Sequence, residues 1–183
     1  MSENVLLPRI ISVTGNMSEI VNRVENSSLV QIDLASFYPK GKRTTFDLKP
    51  WLFEEIILKE NDFRENVKNH DWSQYQDQYV AITCTADAII PSWAFLLISL
   101  ALEPFAKEAV YGNQETLETV LFEEVFANHN FSQYQDAKVI IKGCGNLPIP
   151  QQAYVNYISK LKPFANSIMF GEPCSAVPLY KRK

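Results

Sequence analysis

Glycine is scarce in this chain, six residues in 183. There is no glycine-rich phosphate loop and no dinucleotide fingerprint, and neither HExxH nor GxSxG occurs, so these nucleotide and hydrolase chemistries have no sequence support. Cysteine is also scarce. Three residues, an odd number with no CxxC pair, argue against a disulfide framework. A long hydrophobic run is missing as well. The longest, Ala88 to Leu102, is interrupted by Pro91 and Ser92 and is too short to cross a bilayer. It reads as a buried helix, and no membrane partner is expected. Excess positive charge is absent: 17 Lys and Arg stand against 21 Asp and Glu, a net charge of −4. The basic tail Lys181-Arg182-Lys183 is too short to form a basic face, so no nucleic-acid partner is expected. The start, MSENVLLPRIISVTGN, lacks the charged end, apolar core and cleavage site of a secretory signal. With reduced thiols, this places the protein in the cytoplasm as an expectation.

What is present is a globular composition, 46% apolar and 21% charged. Inside it lies an internal repeat. Residues 70–113 align without a gap to residues 129–172 at an offset of 59, with sixteen of 44 pairs identical. HDWSQYQDQYVAI matches HNFSQYQDAKVII. Ile90-Pro91-x-x-Ala94 matches Ile149-Pro150-x-x-Ala153, Pro104-Phe105-Ala106 matches Pro163-Phe164-Ala165, and Gly112 matches Gly171. Such a repeat is one supersecondary unit used twice.

Hydrophobic periodicity turns this into elements. Residues 1–16 read as a flexible leader, and residues 17–183 as a single α/β domain. Met17 to Val24 has a short helical pattern. Residues 29–34 and 43–48 read as two strands of an N-terminal β-hairpin around Pro39 and Gly41. Pro50 begins a helix striped by Trp51, Leu52, Ile56 and Leu58, followed by a helix from Glu60 to Asn69. Each repeat then gives strand, loop, proline-led helix and strand. In the first copy these are residues 79–83, 84–90, a helix from Pro91 to about Lys107, and 109–111. In the second they are 138–142, 143–149, a helix from Pro150, and 167–170. An amphipathic helix, residues 115–127, joins the copies. Two βαβ units favour parallel pairing. The expected architecture is therefore α/β: a mostly parallel sheet built from a tandem βαβ duplication, with helices on both faces and an N-terminal β-hairpin. The shared SQYQD reads as a turn, with Tyr75 or Tyr134 under the sheet and Asp77 or Asp136 capping backbone groups. The helix from Pro91 is apolar nearly all round and should lie under another layer or a subunit interface, whereas its copy has a wet face.

The chemistry-bearing residues are the thiols. Cys84 follows the first strand of copy one, Cys144 the first strand of copy two, and Cys174 its last strand. Ligands of parallel α/β sheets bind at the carboxyl ends of strands, so all three sulfurs are expected on one edge of one sheet. Three thiolates with a fourth ligand suit zinc, iron or an iron–sulfur cluster. Asp87 and Glu172 are the candidate carboxylates. His70 and His129 precede their strands and should lie at the opposite end. Free cysteines are also commonly small buried apolar side chains. A thiol nucleophile would need a lowered pKa, and no base is evident from the sequence.

The stretches FYPKGKRTTFDLKPWLFEEIILKENDFRENVKNHDWSQYQDQYVAI, CTADAIIPSWAF and GEPCSAVPLYKRK resemble an uncharacterised bacterial family, domain of unknown function 2480, over about residues 17–183. The resemblance implies no particular activity. It does imply an association with iron–sulfur assembly genes of the SUF type, which favours a soft-metal role for the cysteines. Three functions are therefore carried forward. The first is a protein binding zinc, iron or an iron–sulfur species, accessory to iron–sulfur assembly proteins. The second is a thiol enzyme acting on a small sulfur-containing substrate. The third is a non-catalytic interaction module, with a homodimer as one form.

Overall fold

The computed structural model describes residues 29–143 and 145–183. The leader, the helical pattern at residues 17–24 and Cys144 lie outside the described residues. Within them the chain is a mixed α/β protein with four α-helices and two mostly parallel sheets.

The expectation of one sheet with an N-terminal hairpin is corrected. β1 (Leu29–Ile32) and β2 (Arg43–Asp47) are in different sheets and do not pair with each other. β2 pairs in parallel with β3 (Tyr79–Thr83), which pairs in parallel with β4 (Glu108–Tyr111). β1 pairs in parallel with β5 (Lys138–Ile141), and β5 with β6 (Ser167–Phe170). β7 (Val177–Lys181) adds an antiparallel edge to β6, which the periodicity did not signal. The physical reason for the split lies in burial. Val80, Ala81 and Ile82, and likewise Val139, Ile140 and Ile141, are fully buried central strands. Such a strand needs a partner on each side, and a β1–β2 hairpin would leave both without one.

The registers correspond. Arg43 lies opposite Tyr79 and Leu29 opposite Lys138, and Tyr79 and Lys138 are themselves 59 residues apart. An Asp-Leu pair marks the end of each first strand, Asp33-Leu34 just after β1 and Asp47-Leu48 across the end of β2. Asp33 accepts the amide of Ala35 at 2.9 Å, Asp47 accepts that of Lys49 at 3.0 Å, and Leu34 and Leu48 are fully buried. Bonds at the two ends of the central strands recur in the same way. Asp77 and Asp136 donate their amides to Phe105 and Phe164, both at 2.9 Å, and Gly112 and Gly171 donate to Ile82 and Ile141, both at 2.9 Å. Both glycines have positive φ, 140° and 113°, which explains their place in the repeat.

α1 (Glu60–Asn69) and α2 (Ser92–Leu102) cover one face of the three-stranded sheet. Phe63, Ala94, Ile98 and Leu102 meet Phe46, Val80 and Ile82 there. α3 (Gln114–Ala127) covers the other face, with Leu117 and Leu121 on Ala81. The opposite side of α3 joins α4 (Gln151–Leu161) over the four-stranded sheet, where Phe122, Phe126, Tyr157 and Leu161 pack on Val139, Ile141 and Ile168.

Three local expectations change. The helix from Pro50 is only a 3-10 turn, Lys49–Trp51, because Glu54 and Glu55 take positive φ, 51° and 58°, and the chain folds back so that Phe53 bridges Ile57. α2 begins after Pro91 and ends at Leu102, two residues before Pro104. Tyr75 and Tyr134 are buried as expected, but Asp77 and Asp136 do not cap. They hold positive φ, 59° and 58°, and the caps are Asp71 and Asn130, which accept from the amides of Ser73 and Ser132.

Glu118 is buried within α3 and meets Arg43 at 2.7 Å, their side chains 6% and 14% exposed. Tyr38 donates to the same carboxylate at 2.8 Å. Glu118→Ala should cost roughly 3–5 kcal/mol in urea denaturation, because it strands the Arg43 charge. Replacing both residues by Met should recover most of that loss.

Candidate functional site

The carboxyl end of the three-stranded sheet holds a crevice of about 550 Å³. It is lined by Thr83, Cys84, Ile90, Phe95, Tyr111 and Asn113 among others. The sheet delivers Cys84 there directly after β3, and the thiol is half-buried against the α2 cluster. Asn113 caps α3 at the same place, its side chain accepting the Thr116 amide at 2.9 Å. Asp47 braces the loop that carries Cys84. Its carboxylate accepts the Thr85 amide at 3.0 Å and the Thr85 hydroxyl at 2.5 Å, besides the Lys49 amide. Burial raises the Asp47 pKa, but these bonds and the Lys49 charge outweigh it and hold the carboxyl below its ordinary value. Lys49 pairs with Glu55 at 3.0 Å and lies within electrostatic reach of Cys84.

The other expected ligands lie elsewhere. Cys174 and Glu172 are exposed in the loop after β6, on the four-stranded sheet. Asp87 is exposed beside Ile56, Ile57 and Ile89. Cys84 and Cys174 therefore leave different sheets, and the expectation of one edge of one sheet is corrected for this pair. The reason is the split described above, in which each copy of the repeat builds its own sheet. Among the described residues no three His, Cys, Asp or Glu side chains gather as a metal-holding group.

Cys84 aligns with Gly143, and Cys144 with Thr85. The structure gives a steric cause for the glycine. A Cβ at Gly143 would collide with the ring of Phe170, so a cysteine there would require that ring to move. The crevice beside Asp33, Gly143, Gly145 and Leu147, about 690 Å³, is the counterpart in the four-stranded sheet.

The histidines serve the core. His70 lies 3.3 Å from the Tyr75 hydroxyl and 3.1 Å from the Gln74 amide nitrogen. His129 repeats this with Tyr134 at 3.1 Å and Gln133 at 3.2 Å. Rings of Phe46, Trp51 and Trp72 surround the first, and those of Phe37 and Phe131 flank the second. Burial lowers both pKa values, with Asp71 opposing the shift at His70.

Sequence reasoning missed a second polar centre. Tyr38, Arg43 and Glu118 line a cavity of about 560 Å³ with Gln114, Ile149, Pro150 and Gln151, where α3 and α4 begin. Arg43 donates to Glu118 and to the carbonyls of Pro39 and Gly41, and its guanidinium lies 4.2 Å from the centre of the Tyr38 ring. Burial, then the bond to Glu118, raises the Tyr38 phenol and keeps it a donor. The signal was available: Glu118 falls within the Leu117, Leu121, Phe122 stripe, where a lone acid requires a buried partner.

A family model matches residues 18–182, and its description is Protein of unknown function (DUF2480). The chain belongs to this family. No curated protein and no solved structure matches it. No helix among the described residues is long and apolar enough to cross a membrane.

Two outcomes test this geometry. Asp47→Ala should loosen the loop at Thr85, with faster hydrogen exchange at the Thr85 amide and faster alkylation of Cys84 by a thiol reagent than in the wild type. The histidines set a pH dependence. Their folded pKa values lie below the ordinary 6.5, so the unfolded chain binds more protons in that window. Their contribution is complete above pH 6.5 and declines as pH falls through it. The urea midpoint should drop between pH 7.5 and 5.5, and a His70→Gln/His129→Gln variant should show a smaller drop.

Proposed function

We propose that the protein binds a soft metal ion, zinc or iron, or an iron–sulfur species, through Cys144 and Cys174, as a cytoplasmic accessory to iron–sulfur assembly. The observation that carries this reading is the register of the four-stranded sheet. β5 and β6 are adjacent and parallel, with Ile141 opposite Phe170, and neighbouring strands run about 4.8 Å apart. The chain thus leaves β5 and β6 at one edge side by side, and Cys144 follows β5 by three residues in the sequence as Cys174 follows β6 by four. Glu172 belongs to the second loop and offers a carboxylate. A closed structural zinc site takes four protein ligands. Two thiols and a carboxylate leave a position open, which suits a site that accepts and hands on its cargo. Cys84 and Asp87 belong to the other sheet and are not part of this site.

The duplication supports the same division. We infer that residues 79–112 and 138–171 descend from one βαβ unit, and that β2 and β1 are the matching first strands. Corresponding registers, aspartate bonds and glycine conformations are the support. On that reading the His–Tyr pairs and Asp-Leu corners are shared scaffold, and the unshared thiols are the recruited chemistry.

Tag-free protein purified without oxygen should carry about one metal or cluster per chain by elemental analysis and absorption spectroscopy. Cys144→Ser and Cys174→Ser should lose it, and Cys84→Ser should keep it. Wild-type protein that stays metal-free even after reconstitution with zinc, or with iron and sulfide, would end the proposal.

A second reading, thiol chemistry on a small sulfur-containing substrate, rests on the roughly 550 Å³ crevice lined by Cys84. It would show as selective alkylation of Cys84 in metal-free protein.

A further inference from the structure

Helix α2 carries no charged residue from Ser92 to Leu102. Its inner stripe, Ala94, Ile98 and Leu102, is fully buried, yet Leu96 and Leu100, one turn apart on the outside, are 63% and 72% exposed. The exposed apolar surface extends past the N-terminal end of the helix. Ile89 before it is 97% exposed, and Tyr111, whose ring meets Phe95 at 4.7 Å, is 68% exposed. Ile56 and Ile57, also exposed, share a surface depression with Ile89 and Pro91.

A helix so placed need not be apolar outside, and the molecule contains its own control. α4 occupies the matching place on the other sheet. Counting 59 residues on, it has Ser159 where α2 has Leu100, Lys160 where α2 has Ala101, and Gln152 where α2 has Trp93. Only Val155 keeps an apolar exposed side chain, at the position of Leu96.

We propose that this face is the two-fold interface of a homodimer, α2 packing against α2 of a second copy of the chain. Six large apolar side chains at half to full exposure offer on the order of 700 Å². That exceeds the few hundred Å² usual on a monomer and approaches the roughly 800 Å² each partner gives to a stable interface. The composition selects the occupant. A closed two-fold pair sets a patch against itself, and α2 meets its own image without burying any charge. A partner recognised through acidic or basic groups would find no opposing charge on the helix. Asp87 and Glu103, with Lys59 and Lys107, supply both signs around it, as expected of a rim. The i, i+4 spacing of Leu96 and Leu100, flanked by Ser92, Ser99 and Ala101, allows close antiparallel packing of two helices.

Sedimentation velocity on the full chain, from micromolar to near-millimolar concentration, tests this. The wild type should sediment at twice 20.9 kDa. Leu96→Ser/Leu100→Ser, which gives α2 an outer face closer to that of α4, should weaken dimerisation roughly hundredfold or more. Val155→Ser, on α4, should leave it unchanged. If the helix variant does not fold, Ile89→Ser/Tyr111→Ser carries the same test from outside the helix. A monomeric wild type at the highest concentration would overturn the proposal, leaving the face to a different protein. A dimer unaffected by either double variant would overturn it too, by placing the interface elsewhere.

Discussion

Helix α3 is buried on two sides, and the arrangement of both sheets follows from it. Leu117 and Leu121 close the back of the three-stranded sheet, while Phe122 and Phe126 enter the core of the four-stranded one. A helix wedged in this way has little room for charge. Glu118 nevertheless lies on it, and is tolerated because Arg43 at the start of β2 and Tyr38 after β1 both reach it. The three residues come from segments 75 and 80 positions apart. Their meeting fixes how the first strands of the two sheets approach the shared helix. Such a group contributes to uniqueness of packing as much as to stability, since a shifted α3 would leave a buried charge unpaired.

The repeated histidine corners show how the same physics serves both halves. Each half-buried imidazole, its pKa lowered by that burial, lies within hydrogen-bond distance of a buried tyrosine and a glutamine. Their ring contacts with Phe46, Trp51 and Phe37 make both histidines part of the aromatic packing. The carboxyl end of the three-stranded sheet carries Cys84 together with Thr83, Tyr111 and Asn113. The proposed function draws on Cys144, Cys174 and Glu172, and the second reading on Cys84.

The two halves differ most in what they show to water. Where α4 shows Ser159 and Lys160, α2 shows Leu100 and Ala101. The two halves thus carry a polar helix on one side and an apolar one on the other. The thiols differ between halves as well, and at Gly143 the ring of Phe170 occupies the space a side chain would need.

Local pattern alone determined most elements, because strands such as Tyr79–Thr83 and the proline-led helices are defined by neighbours in the chain. The mixed α/β class was legible in the alternation of strand and helix, and the buried tyrosines of SQYQD in their repetition. Tertiary structure alone decided which strands pair. Residues 29–34 and 43–48 look like a hairpin because they are adjacent and joined by Pro39 and Gly41, yet each completes a distant central strand that needs two neighbours. Pairing over such separations leaves no local trace, since each strand's pattern records only that it is buried and not by what. For the same reason the placement of Cys84 and Cys174 on different sheets could not be read from spacing. The backbone reversal at Glu54 and Glu55 was equally hidden: the apolar stripe from Trp51 to Leu58 has helical period, and only the folded chain imposes positive φ within it.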